Sequence, residues 1–283
     1  MKLTKKFLTS TMDIVQDIAY EAGEILLSYQ KERHNLNVHS KGAEGIASEA
    51  DISSEEYIIQ ELRSRFPKHD ILSEENVEGV ERKALYKKAQ NADFCWVIDP
   101  LDGTNNFVNG LPIYAVSIAL MAKGEVVVGV VYNPFSGECF FGAKDQGSYL
   151  IDFRINPLKK YTLKNNKNTK SMDECIFSPA PVFTEGSRFE VQLSSFKKNI
   201  TGARAVRRLG SAALELCYVA NKNFDGYWEQ YLKPWDVAAA FLILQEAGVK
   251  VTDFDGRKFS PFKNSVIAAA DPLHKKILGK ISH

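Results

Sequence analysis

Hydrophobic and polar positions along the chain follow two periods, and the switch between them predicts the elements. From Met12 to Gln30, Ile14, Ile18, Ala22 and Leu26 recur at the helical spacing. Ser53 with Glu56 makes a capping-box pattern before YIIQELRSRF. There Ile58, Ile59, Leu62 and Phe66 share one face, and Pro67 stops the helix. The polar stretch HSKGAEGIASEAD between the two helices reads as a loop or hairpin. Short apolar runs follow. DILSEEN breaks into two glutamates, DFCWVIDP is a buried strand, YAVSIALMA-KGE-VVVGVVYNP is a β-hairpin, and ECFFGA and SYLI are further strands. The lysine-rich segment from Asn156 to Glu174 reads as a surface connection. Beyond it, strands near Ala205 to Leu209, DGYWEQ, VKVTD and SVIAAA alternate with helices over Ser211 to Asn221 and Trp235 to Ala247, the second closed by Gly248. DPLHKKILGKI predicts a last helix with Asp271 as N-cap and Pro272 in its first position.

Mixed strands and helices in this order predict an α/β (α+β) fold, a layered sandwich. A chain of 283 residues fits a single domain over 1–283 made of two packed halves, about 1–155 and about 156–283. Composition narrows the function classes. The formal net charge is +1, so nothing calls for a nucleic-acid partner or a membrane surface. Cys95, Cys139, Cys175 and Cys217 form no CxxC pair and read as isolated reduced thiols. No run of about 18 apolar residues predicts a membrane helix. Thr9, Ser10, Thr11 and Asp13 interrupt the N-terminal stretch that a signal peptide would need, so the expectation is a cytoplasmic protein. The five histidines are scattered without ligand spacing, and none reads as catalytic.

The chemistry-bearing feature is VIDPLDGTNNFVNG, where an apolar run ends in Asp99 and Asp102. Glu74 with Glu75, and Asp236 in KPWDVAAAFLILQEAG, also stand at ends of apolar runs. Singly, each has a plainer reading. Asp-Gly is turn chemistry, paired glutamates are usually solvated, and an acid in a helix's first turn is favoured by the dipole. Together they are three acidic clusters, each interrupting an otherwise buried element. Carboxylates at strand ends face the crevice where ligands bind. Several facing one point repel one another, and a hard divalent cation such as Mg²⁺ answers that repulsion. The proline favours a sharp turn that exposes the Leu101 carbonyl, and GTNNF resembles a helix start whose Gly103 and Thr104 amides could hold a phosphate. Metal and phosphate on one short peptide suit attack of water on a phosphate ester.

DPLDGTNNF, with SEEN upstream and PWDVAAA downstream, resembles the inositol monophosphatase family. The likeness extends over nearly the whole chain, through AYEAGEILL, RRLGSAALELCYVA and DGYWEQYLKPWD. It implies a five-layer αβαβα sandwich of the sugar-phosphatase type, a homodimer, lithium sensitivity, and hydrolysis without a phosphoenzyme using two to three Mg²⁺ ions. Residue by residue, it implies that Glu74, Asp99 and the Leu101 carbonyl hold one metal, and that Asp99, Asp102 and Asp236 hold another. A third, looser ion would lean on Glu74. Gly103 and Thr104 would contact phosphate, and Thr104 and Glu74 would orient the attacking water with support from Asp51. Glu229, Gly210, Ser211 and Ala212 would line the substrate pocket, and Lys41 would sit on a mobile loop.

Two stretches depart from the family pattern. Where the family reads Val-Thr-x-Thr-Asp the chain has IASEAD, so position 50 brings no hydroxyl. Where it often reads Thr-Gly-Phe-Pro the chain has IFSPAPV, Ile176 to Val182. GTNNFVNGLPIYAVSIAL is similar to the inositol-phosphate type rather than to the nucleotide or histidinol-phosphate types. The implied substrate is therefore a small phosphate ester, myo-inositol monophosphate, with fructose 1,6-bisphosphate as the alternative. A reading of another class is a macromolecule-binding protein on the same fold, using Arg204, Arg207, Arg208 and the Lys197-Lys198 pair.

Overall fold

The computed structural model describes residues 3–40, 46–77, 81–180 and 187–281. Lys41 and the last two residues of IFSPAPV lie outside them. The chain runs through helix α1 (Lys5–Lys31), a hairpin of β1 (Val38–Ser40) and β2 (Ile46–Ser48), and helix α2 (Glu49–Arg65). Then come β3 (Asp70–Ser73), α3 (Arg82–Asn91), β4 (Cys95–Asp102), the short α4 (Thr104–Val108), β5 (Ala115–Ala122), β6 (Glu125–Tyr132), β7 (Glu138–Ala143), β8 (Ser148–Asp152) and β9 (Lys160–Thr162). Strands β3 to β9 form one seven-stranded sheet in sequence order, parallel at β3–β4 and antiparallel elsewhere. The rest of the chain supplies β10 (Ile176–Ala180), α5 (Ser187–Ile200), β11 (Ala205–Val206), α6 (Ala212–Ala220), β12 (Gly226–Gln230), α7 (Pro234–Glu246), β13 (Lys250–Thr252), β14 (Ser265–Ala269) and α8 (Leu273–Leu278). Its five strands lie in the order β11-β10-β12-β14-β13.

The layers follow from which faces are apolar. Helix α1 buries Leu8, Met12, Val15, Ala19, Ala22 and Leu26, one stripe at helical spacing, and with α2 it covers the outer face of the seven-stranded sheet. Helices α6 and α7 are apolar almost all round, which requires burial on every side. They fill the space between the two sheets. The outer face of the second sheet is closed by α8 and the end of α5 around Phe177, Trp228 and Ile267. The sandwich is therefore α, β, α, β, α. Strands β4 and β5 are covered on both faces, so they read as unbroken apolar runs instead of alternating ones.

Several local expectations shift. Helix α1 starts earlier than Met12, because the Thr4 hydroxyl accepts from the Phe7 amide at 3.2 Å and caps it. Helix α2 starts before Ser53. Its capping box is Ser48 with Asp51, and Ser53 lies inside the helix with its hydroxyl 2.9 Å from the Tyr29 hydroxyl. Near Ala205 only two residues are extended, and α8 begins after Pro272 instead of at it. The lysine-rich connection contains β9, which pairs with β8, so the first sheet runs past position 155. Helix α5 carries no expectation from the apolar pattern.

Close approach of α7 to the first sheet depends on Gly129 of β6. A Cβ there would lie 2.5 Å from the Ala239 carbonyl oxygen, which is backbone and cannot rotate aside. Gly129→Ala is expected to lower unfolding free energy by about 1–3 kcal/mol, as overpacking does. Urea denaturation of the two proteins measures it.

Candidate active site

The two aspartates of DPLD reach one place because the strand beneath them slips. Pro100 has no amide to give the ladder. Asp99 pairs with Ser117 of β5 and Asp102 with Ala115, so three steps on β4 face two on β5. The Asp99 carboxylate accepts from the Leu101 amide at 3.0 Å, and the Ser54 hydroxyl donates to the Pro100 carbonyl at 3.0 Å. The bulge is thus held from within and from α2.

Glu74, Asp99, Leu101, Asp102, Gly103, Thr104, Gly210, Ala212, Glu229 and Asp236 line one cavity of about 330 Å³, with Asn105, Arg208 and Glu215 beside them. Ser211 stands behind its wall and donates from its hydroxyl to Asp102 at 2.7 Å, next to the Ala213 amide at 2.7 Å. Asp51 stands behind Thr104 and accepts from the Thr104 hydroxyl at 2.9 Å. That hydroxyl also lies 3.1 Å from the Leu101 carbonyl. Asp236 is the third residue of α7, after Pro234, and accepts from the Lys233 amide at 2.6 Å. Glu229, on β12, accepts from the Tyr227 hydroxyl. Gly103 enters α4 at φ 96°, and a Cβ there would lie 2.9 Å from the Ile113 carbonyl oxygen, so glycine is required.

The departure at position 50 has a local remedy. Ala50 is fully buried, and the Asp51 carboxylate takes its hydrogen bonds from the Ser48 amide at 2.8 Å and the Ser48 hydroxyl at 2.6 Å. The serine that caps α2 also fixes the acid.

The electrostatics are dominated by desolvation. Burial first, then the charges of Glu74, Asp102 and Asp236, raise the Asp99 carboxyl well above its ordinary range. Burial and the charges of Glu74 and Asp102 do the same to Asp236. Burial raises Asp102 to about 7, against the hydrogen bonds from Ser211 and Ala213. Glu229 is raised by burial to about 8. Among the described residues, no three His, Cys, Asp or Glu side chains are grouped so as to hold an ion as they stand. Asp99, Asp102 and Asp236 each turn an oxygen to a hydroxyl or amide donor. The donor set itself, carboxylates and a carbonyl around one cavity, is that of a hard divalent cation.

Three residues that support the cavity escaped sequence reasoning, and of them Glu215 lines it. The Asn106 side-chain amide donates to the Ile113 and Leu209 carbonyls, both at 2.7 Å, tying α4 to the loop before α6. Glu215 accepts from the Leu209 amide at 2.8 Å, the Gly210 amide at 3.3 Å and the Ser178 hydroxyl. Its sequence signal was one acid inside AALELCYVA, an otherwise apolar helix. Glu55 accepts from the Ser73 hydroxyl, the Glu75 amide and the Asn76 side chain.

Comparison with known proteins places this geometry. The model of the inositol monophosphatase family matches residues 8–283. A protein of Mesorhizobium japonicum named inositol-1-monophosphatase is 35% identical over 274 residues, covering 95% of each chain. One of Pasteurella multocida named Nus factor SuhB is 35% identical over 272 residues, again 95% of each. The crystal structure of extragenic suppressor protein suhB from Bartonella henselae superposes with a TM-score of 0.84 at 31% identity, covering 96% of this chain and 98% of that one.

The raised carboxyls set a pH dependence. Their folded pKa values exceed the unfolded ones, so the folded state binds protons more tightly and stability falls as pH rises toward and through the folded values. The buried His274 is lowered to about 4, which opposes this trend only up to the ordinary histidine value. In chelator-treated protein, Tm is therefore expected to fall between about pH 6.5 and 8.5. Asp102→Asn should flatten that fall and raise Tm at the alkaline end, as differential scanning calorimetry would read.

Proposed function

The chain belongs to the inositol monophosphatase family, and from that premise we propose that it hydrolyses a small sugar-type phosphate monoester, myo-inositol monophosphate, to the alcohol and orthophosphate. The observation that carries this reading is the convergence of Glu74, Asp99, Asp102 and Asp236 on one cavity with the Gly103-Thr104 helix start and Glu229. In this reading Glu74, Asp99, the Leu101 carbonyl, Asp102 and Asp236 hold two to three Mg²⁺ ions. Bound there, Mg²⁺ supplies charge neutralisation for the carboxylates and phosphate oxygens and acidifies water.

The chain's own groups do the rest. The Gly103 and Thr104 amides hold the phosphate. Because Thr104 gives its proton to Asp51, its oxygen is left to accept from the attacking water, and with Glu74 it fixes the water in line with phosphorus. Glu215 and Asn106 hold the 209–210 loop, so Gly210, Ser211 and Ala212 meet the substrate on a fixed backbone. Glu229, held by Tyr227, takes a sugar hydroxyl. Exposed Arg208 at the rim brings positive charge to an otherwise acidic mouth that must admit an anion. We extend the same reading to a single domain of two packed halves, a homodimer, lithium inhibition and a cytoplasmic location. Among the described residues no helix is long and apolar enough to cross a membrane.

The relatives named Nus factor SuhB favour a second reading, a macromolecule-binding role, for which exposed Arg204, Arg207 and Lys197 are candidate contacts. A phosphate-release panel separates the two. With Mg²⁺, inositol 1-phosphate should turn over faster than fructose 1,6-bisphosphate, histidinol phosphate or 3′-phosphoadenosine 5′-phosphate, and chelator should abolish the activity. Asp102→Asn should lower kcat by at least about two orders of magnitude, the scale of a lost transition-state electrostatic contact. Absence of Mg²⁺-dependent release from every ester, with stoichiometric capture of RNA or protein, would put the binding role first.

A further inference from the structure

Glu74 stands where the chain leaves the first sheet. It follows β3, the edge strand of the seven-stranded sheet, whose neighbour in that sheet is β4. Its amide donates to the Ile98 carbonyl at 3.2 Å, and a single 3₁₀ turn over Glu75–Val77 follows at once.

Glu55 grips the chain on both sides of Glu74. It lies on α2, only 5% exposed, and the proposed reaction does not use it. One carboxylate oxygen accepts from the Ser73 hydroxyl and, at 3.0 Å, from the Glu75 amide. The other accepts from the Asn76 side-chain amide at 2.8 Å. The donors come from the residues immediately before and after Glu74 and from the next one, so the clamp closes on both sides of it. Three donors on one carboxylate suit the ionised form, which has acceptor capacity on both oxygens. Burial of the charge raises the Glu55 carboxyl, and the three donors oppose that shift. A buried charge is a poor device for stability alone, since apolar replacements often do as well.

The placement on α2 adds a second argument. Asp51, Ser54 and Glu55 are spaced i, i+3 and i+4, which puts them on one helix face. Asp51 holds Thr104, Ser54 holds the Pro100 carbonyl, and Glu55 holds the peptide around Glu74. Three separate pieces of the cavity wall are thus registered against one rigid element.

We propose that Glu55 is a positioning residue for Glu74, and that its buried carboxylate sets how tightly the cavity holds divalent cations. This rests on the reading above that Glu74 is a cation ligand. Outer partners of metal ligands typically control affinity more than fold.

Glu55→Gln is the decisive variant, because glutamine keeps the shape but removes the negative charge and one of the two acceptor oxygens. Mn²⁺ binding is followed by electron paramagnetic resonance of the free ion, without substrate. The dissociation constant should rise about tenfold, the lower end of losses seen for outer-shell partners. The Mg²⁺ concentration for half-maximal phosphate release should rise in parallel, while KM for the ester at saturating Mg²⁺ stays within about twofold, as expected when ester contacts are untouched. Should Glu55→Gln fail to fold, Asn76→Ala, at an exposed position, removes one of the three donors and should weaken Mn²⁺ about threefold, a fraction of that same loss. A folded Glu55→Gln, or in its place Asn76→Ala, with wild-type Mn²⁺ affinity overturns the proposal. So does a KM that rises with no change in Mn²⁺ affinity. If the wild type binds Mn²⁺ but hydrolyses no ester, the catalytic reading falls and the Mn²⁺ titration still decides the role of Glu55. If the wild type binds no Mn²⁺, both fall.

Discussion

Repulsion among buried carboxylates is the constraint on which the rest of this structure turns. Asp99, Asp102 and Asp236, with Glu74 beside them, share one small cavity, and burial alone would leave such groups neutral. The protein meets this cost with directed hydrogen bonds. Leu101 serves Asp99, Ser211 and Ala213 serve Asp102, and Lys233 serves Asp236. Leu101 and Lys233 lie within three residues of the carboxylates they serve, whereas Ser211 and Ala213 reach Asp102 from the other half of the chain. The remaining imbalance of charge favours positive charge in the cavity.

Local support would not suffice without the two sheets meeting. Asp99 and Asp102 end a strand of the first sheet, whereas Asp236 opens α7 and Glu229 ends a strand of the second. Helices α6 and α7 bring them together because they are apolar on nearly every face and must lie between the sheets. The join is then tightened by polar struts. Asn106 ties α4 to the Leu209 carbonyl, Glu215 collects the Leu209 and Gly210 amides, and Ser211 reaches Asp102. On the opposite side α2 carries Asp51, Ser54 and Glu55 against the same wall. The cavity is therefore gripped between one outer helix and two central ones.

The parts of the fold legible in the sequence were those whose periodicity was strong. The β5–β6 hairpin was visible as two apolar runs around Lys123-Gly124, both of which take positive φ. Helix α7 was visible over Trp235 to Ala247, against Pro234–Glu246 in the structure. Illegible elements had mixed signals. Exposed β9 is three residues at a sheet edge inside a lysine-rich segment. The start of α2 was missed because Ser53-Glu56 and Ser48-Asp51 both satisfy the capping pattern, and only the chain entering from β2 selects the second.

The same division holds for the cavity. The sequence by itself determined which residue types were available: two aspartates about a proline, a glycine directly after the second, and acids at the ends of apolar runs. These are local properties of backbone and side chain, so they survive in a linear reading. What only the tertiary structure decided is which distant groups support them. Glu55 beside Glu75, Glu215 beside Leu209 and Asn106 beside Leu209 have no periodic or motif signature, because a hydrogen bond depends on separation in space. A buried polar side chain declares its partner only once the layers have closed around it.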